Sequence, residues 1–135
     1  MLKVLVADSS LTSRRTLATV LMNASYEVVG EASTAGQCLA LAGNLHPHIV
    51  CVDLGFPDRS DPQLLAELRE RHPKAILMLV SAQFSEASLK AGLACGAHGF
   101  IVKPFSAVKV VSAIRAAVLK VARQVKAAPG RECPQ

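Results

Sequence analysis

The chain has 135 residues and a mass of 14.2 kDa, room for one domain around a single core and too little for a second of ordinary size. Hydrophobic residues make up 51% of it, but charges interrupt them at short intervals and the N-terminus carries no signal-peptide pattern, so a soluble, cytoplasmic protein with no membrane partner is expected. Its formal charge of +5 includes Lys120, Arg123, Lys126 and Arg131 near the C-terminus, and with no Trp and one Tyr it lacks a base-stacking surface, so direct nucleic-acid binding is not expected.

Short β-type runs alternate with longer runs of helical period, the pattern of a parallel sheet flanked by helices, and the unit repeats five times. The first strand is predicted over 3–7. A helix follows over 11–23, with Leu17, Val20 and Leu21 on one face and Ser9 or Ser10 as its cap. A second strand falls at 26–31 and a second helix at 34–44, which Pro47 prevents from continuing. The third strand, 48–53, is apolar on both faces, as at the centre of a parallel sheet, and ends on Asp53.

After a polar loop, Asp61 is expected as the N-cap of a third helix, with Pro62 at its first position and its end at residue 71. A fourth strand is predicted over 75–80, closed by Ser81. Ser85 can cap a fourth helix that runs to Cys95 and is ended by Gly96. The fifth strand is placed at 99–103, followed by Pro104. The last helix begins near Ser106 and carries Val110, Val111, Ile114, Ala117, Val118, Val121 and Val125 as one apolar stripe. The domain is thus expected over 1–126, with 127–135 a flexible tail or the start of a linker.

In an open sheet of this kind ligands bind outside the carboxyl ends of the strands. Asp8 follows strand one, Asp53 ends strand three, Ser81 follows strand four and Lys103 ends strand five. Two carboxylates, a hydroxyl and a cation suit a divalent cation together with a transferred phosphoryl group, and a carboxylate can itself be the acceptor. The four histidines share no metal-ligand spacing. The cysteines at 38, 51, 95 and 133 lie far apart without a C-x-x-C pair, which suits a reducing compartment.

The segments Val4-Leu5-Val6-Ala7-Asp8-Ser9-Ser10, His48-Ile49-Val50-Cys51-Val52-Asp53-Leu54-Gly55-Phe56-Pro57, Leu79-Val80-Ser81-Ala82 and Gly96-Ala97-His98-Gly99-Phe100-Ile101-Val102-Lys103-Pro104-Phe105 resemble the receiver domain of two-component response regulators. The resemblance runs from about Leu2 to Val121. It implies a flavodoxin-like (βα)5 fold, a doubly wound five-stranded parallel sheet of order 2-1-3-4-5. It implies that Asp53 is the phosphoacceptor and that Mg2+ is held by Asp8, Asp53 and the backbone carbonyl of Gly55. Ser81 would be the hydroxyl that swings toward the phosphoryl group, Lys103 its counter-charge, Pro104 the partner in a cis peptide, and Phe100 the rotating aromatic that reports the state of Ser81. A sensor histidine kinase or phosphotransfer protein, an output protein or domain, and a homodimer through the helix 4, strand 5 and helix 5 face are the implied partners.

Two positions depart from the family pattern. Ser9 stands where a second acidic residue is usual, which weakens the attraction for Mg2+. Asp61 replaces the usual glycine of the loop after strand three. The first departure keeps a pseudo-receiver open as an alternative, a binding module not controlled by phosphorylation. An enzyme is not expected, because the chain has no G-x-x-x-x-G-K-[ST], G-x-G-x-x-G or G-x-S-x-G motif.

Overall fold

The computed structural model describes residues 1–83 and 85–127, with the side chains of 61, 88 and 124–127 left aside. Five strands and five helices alternate: β1 (Lys3–Ala7), α1 (Leu11–Asn23), β2 (Glu27–Ala32), α2 (Ala35–Leu45), β3 (Ile49–Asp53), α3 (Asp61–Arg71), β4 (Ile76–Ser81), α4 (Glu86–Ala94), β5 (Gly99–Val102) and α5 (Ala107–Ala127). All sheet pairs are parallel and the order is β2-β1-β3-β4-β5, as expected. The chain therefore starts at the sheet's middle, winds one way to β2, then reverses through β3 to β5. Where the direction reverses, the connections after β1 and β3 leave in opposite directions and open a crevice at the carboxyl edge.

The central strands are apolar throughout because helices cover both faces. On one face Leu5, Val50, Val52, Leu77 and Leu79 pack with Ala35, Cys38 and Leu39 of α2 and Leu64, Leu65 and Leu68 of α3. On the other, Val4, Val6, Ile49, Cys51, Met78 and Val80 pack with Leu17 and Leu21 of α1 and Val110, Ile114 and Ala117 of α5. Helix α4 lies against the first face through Gly92, where a Cβ would come within 2.6 Å of Leu79 Cδ1. Burial pushes the thiols of Cys38 and Cys51 up to about 12, so both act as small apolar residues.

Element ends differ from the sequence reading by a residue or so, and three caps are settled. Ser10, not Ser9, caps α1 by accepting the Ser13 N–H at 3.3 Å. Thr34 lies outside α2 as its cap. Asp61 is the first residue of α3 and not its cap: Ser60 accepts the Gln63 N–H at 3.4 Å, and Pro62 falls in the first turn, where its missing N–H costs nothing. Of the expected apolar stripe of α5, Val110, Ile114, Ala117, Val118 and Val121 pack into this core; the side chain of Val125 and the tail reading from 128 onward lie outside what is described. Among the described residues no helix is long and apolar enough to cross a membrane.

Candidate functional site

Asp8 is the first residue beyond β1 and is only 2% exposed. Nearly every polar atom it has is engaged. Its N–H donates to the Ala32 carbonyl (2.9 Å), its carbonyl accepts from Arg14 Nη1 (2.9 Å), and Oδ1 accepts the Ser10 N–H (2.8 Å). Oδ2 is left for Lys103, whose Nζ lies 3.1 Å away. Asp53 closes β3 two strands from the edge, and its Oδ1 is 3.2 Å from the same Nζ. The ammonium group thus sits between both carboxylates.

Lys103 reaches this position from the end of β5. Its N–H donates to the Ser81 carbonyl (2.9 Å), which prolongs the β4–β5 ladder by one residue, and the following peptide to Pro104 is cis as the resemblance implied. Two carboxylates against one ammonium leave the cluster one negative charge in excess. The carboxyl of Asp53 is raised to about 6, by burial first and by the charge of Asp8 second, with Lys103 opposing both. Burial pulls Lys103 down, but its hydrogen bond to Asp8 and the charge of Asp53 outweigh that and hold it above its ordinary range. At pH 7 the Asp53 carboxyl is therefore mostly ionised and faces the Lys103 ammonium.

The structure brings Asp8, Asp53 and Lys103 together, while the Ser81 hydroxyl is engaged within its own loop. The Ser81 hydroxyl donates to the Gln83 carbonyl (2.9 Å) and accepts the Gln83 N–H (3.3 Å), a closed turn within its own loop. Phe100 is partly buried and packs on the α2–α3 face, near the spot where a side chain on Gly92 would meet its Cε1 at 3.2 Å. Gly55, in the loop after Asp53, holds φ at +93°, a conformation glycine adopts without strain.

Hard oxygen donors are what Mg2+ takes, and the carboxylates of Asp8 and Asp53 with the Gly55 carbonyl are such a set, with the excess negative charge to attract it. Ser9 is exposed beside Asp8 and adds no charge, and among the described residues no three His, Cys, Asp or Glu side chains form a metal cluster. The donors fit Mg2+ with fewer charges than a three-acid site would bring.

Arg14 and Asp58 were not singled out by sequence. Arg14 ties the Asp8 carbonyl to Glu31, whose Oε1 lies 3.2 Å from its Nε. Asp58 tethers the loop after β3: Oδ1 accepts the Ala35 N–H (3.0 Å) and Oδ2 the Gly36 N–H (2.9 Å) at the start of α2. Each reaches the site through a backbone group, of Asp8 for Arg14 and of Ala35 and Gly36 for Asp58, and such a contact leaves no mark in a residue pattern.

The family model of the response regulator receiver domain matches residues 4–115. The chain is 31% identical over 112 residues to the chemotaxis protein CheY of Thermotoga maritima, covering 83% of this chain and 93% of that one. Its fold is similar to the receiver domain of the response regulator NarL from Mycobacterium tuberculosis (TM-score 0.77, 27% identity, 96% of this chain and 98% of that one). It is also similar to CheY in a CheX–CheY–BeF3–Mg2+ complex from Borrelia burgdorferi (TM-score 0.80, 24% identity, 89% and 88% covered).

Proposed function

Since the chain belongs to the response regulator receiver family of two-component systems, we propose that it accepts a phosphoryl group on Asp53 from a sensor histidine kinase or phosphotransfer protein and relays the change to an output partner. The observation that carries this reading is the Lys103 ammonium held 3.1 and 3.2 Å from the carboxylates of Asp8 and Asp53. In the transfer an oxygen of ionised Asp53 attacks the phosphorus of a phosphohistidine; the P–O bond forms, the P–N bond breaks, and the imidazole leaves with the electron pair. Lys103 then faces phosphoryl oxygens in place of a bare carboxylate. Mg2+ held by Asp8, Asp53 and the Gly55 carbonyl would supply the charge neutralisation such a transfer needs.

Phosphorylation brings roughly 1.5 to 2 further negative charges to this rim. The Ser81 hydroxyl would answer them by giving up its bonds to Gln83. Loss of that turn would loosen the loop into α4 and free Phe100 to move, so the change is read on the α4–β5–α5 face, where Leu93, Val102 and Val108 are 48%, 54% and 76% exposed. This face would receive the output protein or domain, or a second copy of the chain. The protein works as a switch in the cytoplasm and not as a turnover enzyme, with no direct contact to nucleic acid.

The test is mass spectrometry of the chain with a small-molecule phosphodonor and Mg2+, alongside BeF3 binding followed by NMR. One phosphoryl group is expected on the wild type and none on Asp53→Asn. The second reading, a pseudo-receiver that binds its partner regardless of phosphate, is favoured by the exposed Ser9 beside Asp8. No mass gain at saturating donor and Mg2+ would decide for it.

A further inference from the structure

The amino edge of the sheet, opposite the crevice at Asp53, carries a second cluster of titratable side chains. Strands β3 and β4 are paired, Ile49 beside Ile76, so the loops that enter them are neighbours. The Ile76 N–H donates to the His48 carbonyl at 2.9 Å and fastens one loop to the other. The first loop begins with His46 and the second with His72, each the residue that ends its helix and each followed by a proline that stops the helix there. A cavity of about 310 Å3 opens between the loops, with His46, Pro47, His48, His72, Pro73 and Lys74 in its walls. The His46 and His72 rings meet edge to face, their centroids 6.3 Å apart and their planes at 68°. Nε2 of His72 is shielded from solvent and, among the described residues, has no hydrogen-bond partner, whereas buried polar atoms are nearly always paired.

We propose that His46 and His72 form a binding site for a transition-metal cation of the zinc type, which joins the ends of α2 and α3 at the amino edge of the sheet. The separation of the rings is in reach of one ion. Two imidazoles bound through nitrogen at about 2.1 Å in tetrahedral geometry hold their centroids about 5.3 Å apart, so the rings need to close by about 1 Å. His46 is exposed, and its ring can turn to supply that movement. The local field favours a cation over an anion, because both histidines sit at helix C-termini, where the last carbonyls carry partial negative charge. Lys74 opposes this, but it is exposed and its charge is screened. The donors choose the metal: imidazole suits Zn2+, Cu2+ and Ni2+, whereas Mg2+ takes carboxylate oxygens such as those of Asp8 and Asp53. His48 is engaged elsewhere, its Nδ1 accepting the Lys3 N–H at 3.0 Å, and among the described residues no three such side chains gather as a metal cluster. Water would fill the remaining positions, as in zinc sites that keep open coordination. Sequence spacing gives no sign of the site, because its halves come from different loops that only the sheet brings together.

The experiment titrates the full chain, labelled with 15N-histidine, with Zn2+ in excess Mg2+ and follows the ring nitrogens by NMR. One equivalent of Zn2+ is expected to shift a ring nitrogen of His46 and Nε2 of His72 together and to leave His98 unmoved. His46→Ala and His72→Ala should each raise the Zn2+ needed for half-saturation about tenfold, because a chelate loses its advantage with either arm. Zn2+ should also raise the thermal midpoint of the wild type more than that of either variant. Lys74→Ala should tighten binding about twofold, by removing an exposed repelling charge. Asp53→Asn should bind Zn2+ as the wild type does, so the result stands apart from whether Asp53 takes a phosphoryl group. No shift at millimolar Zn2+, one ring moving without the other, or shifts confined to carboxylate and cysteine residues would overturn the proposal. Weaker binding in Lys74→Ala would overturn it too, since the cavity would then favour anions.

Discussion

The two ends of the same carboxyl edge are built differently. Around β1 and β3 every strand residue after Lys3 and before Asp53 is buried, and Asp8 is held through its N–H, its carbonyl and both carboxylate oxygens. At the other end β4 is as buried as β1 and β3, but beyond it the packing thins: β5 buries only Ile101, and in α4 the one described position that is buried is a glycine. Ser81 at this end is tied to nothing beyond its own turn by its hydroxyl. The acceptor end is over-determined, so charge arrives where geometry cannot relax. The other end has few contacts to lose, so a bias of a few kcal/mol can move it.

Truncation measures that contrast most directly. Leu77, fully buried in β4, should cost about 2–5 kcal/mol of unfolding free energy as Leu77→Ala, from lost transfer energy plus the cavity left behind. Leu93, of the same chemistry but 48% exposed on α4, should change stability by only about 0.5 kcal/mol as Leu93→Ala. Urea denaturation of both variants gives the numbers. Similar losses would mean that α4 is as firmly seated as the sheet and that the contrast does not exist.

The next effect is on chemistry. Lys103→Gln leaves Asp8 and Asp53 facing each other without the cation between them, and should slow phosphoryl uptake about a hundredfold, in the range seen when a charge-stabilising donor is lost from a reacting site. The same variant should move the titration of the Asp53 carboxyl above its present value of about 6, because burial and Asp8 both push it up and only Lys103 pushes back. Carboxyl 13C shifts against pH would follow this in the absence of any donor. An unmoved midpoint would show that Lys103 does not sit where the ion pairs place it.

What sequence could and could not reveal divides along similar lines. The central strands were legible because burial on both faces demands unbroken apolar runs such as Ile49 to Val52, and the site was legible because Asp8, Asp53 and Lys103 stand at strand ends, where an open sheet must bring them together. The cap of α3 was not, since Ser60 and Asp61 are both good caps and Pro62 is tolerated at either of the first two helical positions. Arg14 and Asp58 were illegible for another reason: what ties each to the site is a bond to backbone atoms, of Asp8 for Arg14 and of Ala35 and Gly36 for Asp58, and every residue has those. The turn of the Ser81 hydroxyl toward Gln83 is a rotamer choice, which residue type leaves open.

The smallest effect is in pH dependence, and it sets the two regions against each other in one window. At the foot of β5, His98 Nδ1 accepts the Leu77 N–H at 3.1 Å, with Arg69 Nη2 3.4 Å away, and burial together with the charges of Arg69 and Lys120 lowers its pKa to about 4. A histidine kept neutral in the fold adds stability that is present above its ordinary value near 6.5 and is lost as pH falls toward 4. Asp53 runs the other way: its carboxyl is raised from 3.8 to about 6, so the stability linked to its protonated form is present below 3.8 and is lost as pH rises through 6. Between pH 6.5 and 4 the two slopes oppose. Unfolding free energy measured at half-unit steps should therefore fall less with acid in His98→Gln than in the wild type, and fall more in Asp53→Asn. Protection of the Leu77 amide relative to its intrinsic exchange rate should fall in the wild type as pH drops through about 4, because the protonated ring can no longer accept its hydrogen. Parallel curves for the two variants would mean that one of the two environments, the crevice at the carboxyl edge or the clasp beneath β5, is wrongly drawn.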